Sequence, residues 1–235
     1  MALHRKFTAL QRLKPSIAVI PECAEPERLK EKAPLLFQDS TVWVGKNPNK
    51  GLGIFGFGDY EVELHPSYDS SIPIIAPIVV SGRRAFHLLA VWADTSGENW
   101  GRNRPGPVLN ALNRYKKFIG RAPTIIAGDF NNHVRWDKPG HAGNHSNAVA
   151  EMQALGFVSA YHFDRGLDPG DEIEPTHYWR DRKKDGPTYH LDYIFVPRRW
   201  AATMSEMTVG SFEDWCGSGL SDHVPLVVEL DPSNA

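Results

Sequence analysis

Cysteine is scarce in this chain: two residues, Cys23 and Cys216, among 235. That excludes a disulfide framework and a cysteine-based zinc cluster. Reduced thiols in a cytosolic protein are the plainer reading, and whether the fold brings the pair together is open. Long apolar runs are missing too. The longest, "IPIIAPIVV" (Ile72–Val80), is far too short to span a bilayer and contains two prolines. The opening "MALHRKFTALQRLK" is too polar for the apolar part of a signal peptide. Nor is there an excess of one charge: 26 Lys and Arg stand against 28 Asp and Glu, a net of −2. Bulk electrostatics therefore does not mark a binder of nucleic acid or of membrane surfaces. A polyanionic substrate would have to be held by local positive charge or by a metal. No repeat, low-complexity tract or long linker interrupts the chain. These absences leave a soluble, cytoplasmic protein, read as a single domain over residues 1–235 with room for a sizeable core. Oligomeric state is not readable.

What is present is mostly strand. Leu3, Phe7 and Leu10 lie at helical spacing, so an amphipathic helix opens the chain. "SIAVIPE" reads as a short buried strand, and "TVWVGK", "LGIFGF", "YEVELH", "PIIAPIVV" and "RAFHLLAVWA" as further strands. Val108, Leu112, Tyr115 and Ile119 line one helix face that stops at Gly120. A buried strand covers Thr124–Gly128, and a helix lies near Asn147–Leu155. "THYW" and "YHLDYIFV" flank the polar turn "RDRKKDGP", and "HVPLVVEL" closes the set. Helices punctuate strand runs without strict alternation. That favours stacked sheets covered by helices over a doubly wound parallel sheet. "GLGIFG" (Gly51–Gly56) matches G-x-G-x-x-G, but strand-like alternation follows it instead of a helix. The dinucleotide reading fails there, and the glycines serve strand bends or close packing.

Four strands finish in polar groups. Asp129, Asn131 and Asn132 follow "TIIAG"; Glu22 follows "AVIP"; Asp192 stands in "LDYIFV"; Asp222 and His223 lie at the lip of "PLVVEL". Each has an ordinary explanation alone: a turn residue, a surface acid, a structurally paired carboxylate, a rim histidine. Taken together they are costly to desolvate unless paired or metal-bound. Carboxylates brought together repel, and a cation is the economical remedy. Oxygen donors without cysteine suit magnesium or manganese better than zinc.

The ordered set "PE" (Pro21–Glu22), "GDFN" (Gly128–Asn131), "LDYIFV" (Leu191–Val196) and "SDH" (Ser221–His223) resembles the endonuclease/exonuclease/phosphatase superfamily, over Ile17 to Leu230. The resemblance implies an α+β fold, a four-layer α/β/β/α sandwich of two packed β-sheets with the site at one end. It implies a hydrolase of phosphate esters that uses Mg2+ or Mn2+. Carried over by position, Glu22 binds the metal, and Asp222 sits beside it directly or through water. Asp129 orients and deprotonates the attacking water. Asn131 donates to a phosphate oxygen, and alternation puts it on the same side as Asp129. His223 contacts another phosphate oxygen, oriented and kept cationic by Asp192. Its pKa is therefore expected to be raised.

The substrate is read as a phosphodiester of DNA or RNA. A phosphatase or phosphodiesterase for lipid headgroups or small metabolites is the alternative, and a catalytically impaired binding module is the second. Arg180, Arg182 and Trp179 form a candidate substrate clamp in the turn before Asp192.

Two departures from the resemblance stand out. The family's first strand and its asparagine have no counterpart before the opening helix. A start placed downstream of the true one is favoured over natural shortening or another segment in the slot. That reading implies exposed backbone edges in one sheet, with poor solubility or low activity. Where many nucleases carry a histidine or tyrosine, this chain has Trp92, which has no acid function; Asp94 is a weak substitute. His133, His141, His145 and Asp137 form a second possible metal group. Their glycine- and proline-rich setting, "KPGHAGNHSN" nearby, favours a mobile surface loop instead.

Overall fold

The computed structural model describes residues 3–30, 40–72, 74–93, 101–179 and 183–231. Helix α1 (Leu3–Arg12) buries Leu3 and Phe7, the positions its spacing marks. There follow β1 (Ile17–Cys23), α2 (Pro26–Leu29), β2 (Thr41–Asn47), β3 (Lys50–Gly56), β4 (Glu61–Leu64), β5 (Ile75–Ser81) and β6 (Phe86–Trp92). Helices α3 (Pro107–Arg114) and α4 (Lys116–Ile119) lead to β7 (Thr124–Asp129). Then come α5 (His145–Ala154), β8 (Phe157–Ser159), α6 (Ala160–Arg165), β9 (His177–Tyr178), β10 (Thr188–Tyr189) and β11 (Asp192–Pro197). The chain ends with α7 (Arg198–Ala201), β12 (Met204–Val209) and β13 (Leu226–Leu230). Sequence reading missed α2, β8, α6, α7 and β12. β8 has three residues, too few to show a period, and β12 buries only Met207, so its pattern looks polar.

Six strands form one sheet in the order β4-β5-β6-β7-β11-β8. All its pairings are antiparallel except β6 with β7. That parallel pair needs a crossover, which α3 and α4 supply. On the outer face, Val108, Leu112 and Tyr115 pack with Val149 and Met152 of α5 against Leu89, Val91 and Ile126. On the inner face, Leu52 and Ile54 of β3 meet Ala76, Ile78, Leu88 and Ala90. Each fully buried Leu, Ile or Val among them contributes about 1.5–3 kcal/mol through area removed from water. α1 covers the far side of β1 and β3 through Leu3, Phe7, Ala18 and Phe55. The result is the four-layer α/β/β/α sandwich.

The inner layer is split. β1-β3-β2 is one sheet and β12-β13 another. Among the described residues, β1 pairs only with β3, and β13 only with β12. A cavity of about 590 Å3 lies between these two strands, with Ile17, Val19, Leu226 and Val228 on its sides and Ile125 and Ile194 below. The cavity also reaches Glu22, Asp129, Asp192 and His223.

The glycines of "GLGIFG" fall in β3 and serve close packing. A Cβ on Gly51 would sit 2.4 Å from the Trp43 ring, and one on Gly53 would sit 2.9 Å from Cys23 Sγ. Cys23 and Cys216 are both buried and are not joined to each other. No helix among the described residues is long and apolar enough to cross a membrane.

Candidate active site

Three strands of the larger sheet end side by side. In register, Trp92 of β6 lies beside Asp129 of β7, and Asp192 of β11 lies opposite Asp129. Directly paired residues point to the same face, so two carboxylates meet at one strand end. Gly128 makes the approach possible. Its φ is +138°, and a Cβ there would lie 1.9 Å from Val91 O. Only glycine tolerates that backbone and that distance. Asp129 is buried. Burial first, then the charge of Asp192, pushes its carboxyl up to about 7, against the opposite pull of His223.

Asp192 Oδ2 is 2.8 Å from His223 Nδ1. The imidazole is partly buried, which disfavours its charge. Asp192, then Asp129 and Asp222, outweigh this and lift it to about 9. The expected rise is therefore present, and it has its expected neighbours. The segment "THYW", read from sequence only as a strand, aligns these groups. The hydroxyl of the fully buried Thr176 accepts from Leu191 N at 2.9 Å and Asp192 N at 3.0 Å. Its carbonyl accepts from Val224 N at 2.8 Å, and Tyr178 N donates to Asp222 O at 2.8 Å. His177 bridges to His223 in the backbone, and their rings are 4.5 Å apart. Burial and then His223 hold the His177 imidazole below its ordinary pKa. "PTHYW" carried the signal: a buried threonine between strands is a spare acceptor.

Asn131 corrects a detail of the sequence reading. β7 ends at Asp129, so strand alternation no longer governs Asn131, which turns into φ +46°. Asparagine is one of the few residues that accept this conformation. Its N–H donates to Asp129 Oδ1 at 2.8 Å, and its Nδ2 donates to Ala93 O at 2.9 Å. The second hydrogen of that amide is left for another acceptor.

Glu22 also escapes alternation. It sits at φ +55°, where the β1–β3 register slips between Ile20 and Cys23. Such a bulge re-aims a side chain. Its Oε1 is 2.7 Å from Lys50 Nζ, and that ammonium lies 5.2 Å from the centre of the Trp92 ring. Lys50, not foreseen from sequence, thus ties Glu22 to the end of β6 beside Asp129.

A divalent ion is implied by the resemblance, and the donor set can be tested for it. Glu22 adds to the rise of Asp129, and Asp222, Asp192 and Glu22 all act on His177. All four acids line one cavity together with His223. Among the described residues, no three His, Cys, Asp or Glu close on a single point as a protein cage would. Magnesium does not need a cage; it keeps several waters and takes one or two carboxylates plus substrate phosphate. Glu22 and Asp222 are oxygen donors of the kind such an ion takes, and Glu22 Oε1 is here paired with Lys50.

Arg180, Arg182 and Asp94 lie outside the described residues. Trp179, two residues beyond His177, is exposed. The second histidine group does not come together as a metal site among the described residues. Asp137 instead accepts from His145 N at 2.7 Å and Ser146 N at 3.1 Å, satisfying amides at the start of α5. The segment "KPGHAGNHSN" carries its own hydrogen bonds at the surface. Asn144 exchanges hydrogen bonds with Lys138 N and O at 2.9 and 2.8 Å, and Asn147 donates to His141 O at 2.9 Å.

Solved structures share this arrangement of layers. The 3′ phosphatase NExo from Neisseria, bound to product DNA hairpin, matches with a TM-score of 0.69 and 14% identity over 98% of this chain and 96% of that one. An AP endonuclease from Archaeoglobus fulgidus gives 0.68 and 19% over 97% and 94%. The AP endonuclease LMAP from Leishmania major gives 0.65 and 15% over 97% and 82%. The fold is that of the endonuclease/exonuclease/phosphatase-type proteins. No family model matches the sequence, and no curated protein does.

Proposed function

We propose that this chain is a divalent-metal-dependent phosphoesterase, hydrolysing phosphodiester bonds of DNA or RNA by attack of an activated water. The observation that carries the reading is the register pairing of Asp129 with Asp192, with His223 held 2.8 Å from the latter. A buried carboxyl with a pKa near neutrality beside a cationic imidazole is a base next to an anion stabiliser.

Asp129 takes the proton of the water, whose oxygen bonds to phosphorus as the ester P–O bond breaks and the leaving oxygen departs with its electron pair. His223 donates to a non-bridging oxygen and offsets the charge that builds there; Asp192 keeps it oriented. Asn131 offers its remaining amide hydrogen to a second oxygen. Glu22 and Asp222 would hold Mg2+ or Mn2+, which when bound supplies charge neutralisation at the phosphate.

The nucleic acid assignment is supported by a run of rings leading away from His223. His177 stacks on Tyr189 at 6.3 Å, and Tyr189 meets Trp136 at 4.9 Å. The Trp136 ring is exposed although it is large and apolar. Base stacking on such rings contributes about 1–3 kcal/mol per base. Two of the compared structures are AP endonucleases, and a third holds a DNA product.

The test is a panel of duplex, single-stranded and abasic DNA, RNA and phosphoinositides, with Mg2+ or Mn2+ and with chelator. Metal-stimulated cleavage of nucleic acid, lost in Asp129→Ala, is expected. Cleavage of phosphoinositides alone would move the substrate to lipid headgroups. No cleavage by the folded protein with either metal would leave a binding module.

A further inference from the structure

The loop after β7 carries Asn131 and Trp136, yet among the described residues no strand pairs with it. Besides the bonds of Asn131 to Ala93 and of Arg135 to Gly170 O, a carboxylate beyond the site holds it. The Glu172 side chain is only 2% exposed. Its Oε2 is 3.0 Å from His133 Nε2, and its Oε1 is 3.0 Å from His162 Nε2 on α6. Gly170 N donates to Oε2 at 3.1 Å. Burial opposes the charge, but the two imidazole donors and the backbone amides outweigh it and hold this carboxyl below the usual range.

The proton positions on His133 follow from its other partner. Arg135 N donates to His133 Nδ1 at 2.9 Å, so Nδ1 is an acceptor and the ring proton sits on Nε2, facing Glu172. His162 is less constrained, because its Nδ1 meets the Ser159 hydroxyl at 2.8 Å, and a hydroxyl can give or take. Between Asn131 and His133, Asn132 Oδ1 accepts from His133 N at 2.9 Å. The path from Glu172 to Asn131 is therefore two residues of tightly bonded loop. Asn131 itself is in the left-handed conformation, held locally by its bonds to Asp129 and Ala93, and the Glu172 clamp fixes the loop that follows it.

We infer that Glu172 is a positioning residue for the hydrolysis proposed above: it clamps His133 to α6 and thereby sets where the Asn131 amide points. The clamp is asymmetric. The His133 side requires an acceptor, whereas the His162 side accepts either polarity, since its ring can reverse tautomer and donate to Ser159. Glu172→Gln can keep its oxygen on His133 and turn its amide toward His162, so it preserves the clamp. Glu172→Ala destroys it.

The test combines turnover on a cleavable phosphodiester with amide exchange on the folded full chain. Displacing a positioned donor by about 1 Å costs on the order of 10²-fold in rate. Glu172→Ala should lower kcat by about that factor with KM little changed, and Glu172→Gln should restore most of it. Asn131→Ala combined with Glu172→Ala should be no worse than Asn131→Ala alone, because both remove one function. Exchange at the His133 and Arg135 amides should quicken in Glu172→Ala and not in Glu172→Gln.

Multiplying losses in the double variant, or an unchanged kcat in Glu172→Ala, would overturn the assignment. Should alanine not fold, Glu172→Asp is read in the same way, since it keeps the charge but falls one methylene short of both rings. Absence of hydrolysis in the wild type would end the enzyme reading. The exchange experiment would then decide the clamp alone, and unchanged rates at His133 and Arg135 would refute it.

Discussion

Asp129 is a residue at which stability and chemistry oppose each other. Its carboxyl has a folded pKa of about 7 against an ordinary value of 3.8. For a raised pKa the native state holds the proton longer, so the stabilising contribution is complete at low pH and is lost as pH rises toward 7. Asp129→Asn keeps the acceptor for Asn131 N–H and removes the buried charge. The melting temperature of this variant should match wild type near pH 4 and exceed it by at least about 3 °C at pH 8. Hydrolysis should be abolished at every pH. A variant less stable than wild type at pH 8 would contradict the assigned shift. Glu22 and Asn131 teach another lesson at this scale. Both have positive φ, so neither side chain goes where strand alternation would send it.

At the scale of elements, the site depends on the register of β6, β7 and β11, and Gly128 is the point at which that register is most vulnerable. Alanine there must fit a Cβ against the Val91 carbonyl at a φ of +138°. Gly128→Ala should cost at least about 3 kcal/mol by urea unfolding, since strain at a special backbone position and a lost pairing add. Thr176→Val is a finer probe. It keeps the shape but removes the acceptor for two buried amides, which costs about 1–3 kcal/mol. Because one amide belongs to Asp192, kcat should fall as well. A valine variant that is destabilised yet fully active would place Thr176 among packing residues only. The loop elements show why side-chain partners matter: Asp137 caps α5, Glu172 gathers two histidines, and neither role follows from composition.

Across the whole molecule, acid sensitivity is set by buried groups outside the strand ends. Burial holds His145 down at about 4, from an ordinary 6.5, against the pull of Asp137. The sign is opposite to that of Asp129. A depressed histidine stays neutral in the fold and charges on unfolding, so its contribution is complete above pH 6.5 and is lost as pH falls toward 4. Glu172, also depressed, is lost in the same direction at lower pH. In wild type the rise of Asp129 masks part of this. In Asp129→Asn the mask is gone. Unfolding free energy should then fall between pH 6.5 and 4, by up to about 3 kcal/mol at 1.36 kcal/mol per pKa unit. A flat profile in that variant would show that His145 is not held neutral.

Residue order alone made legible a set of stacked sheets covered by helices and the identity of the polar strand ends. Hydrophobic period marks which segments are strands, and β3, β5, β6, β7 and β11 are long and apolar enough to declare themselves. The acids and the imidazole at their ends stand out because burying them is costly unless something pairs them. Tertiary structure alone decided how these ends meet. Strand order and register bring Asp129, Asp192 and Trp92 together from distant parts of the chain, and no local period encodes that. It alone decided that Lys50 reaches Glu22, that Thr176 feeds Asp192, and that Glu172 clasps His133. Such contacts join residues whose separation in sequence carries no signal, and their energy exists only once the sheets have packed.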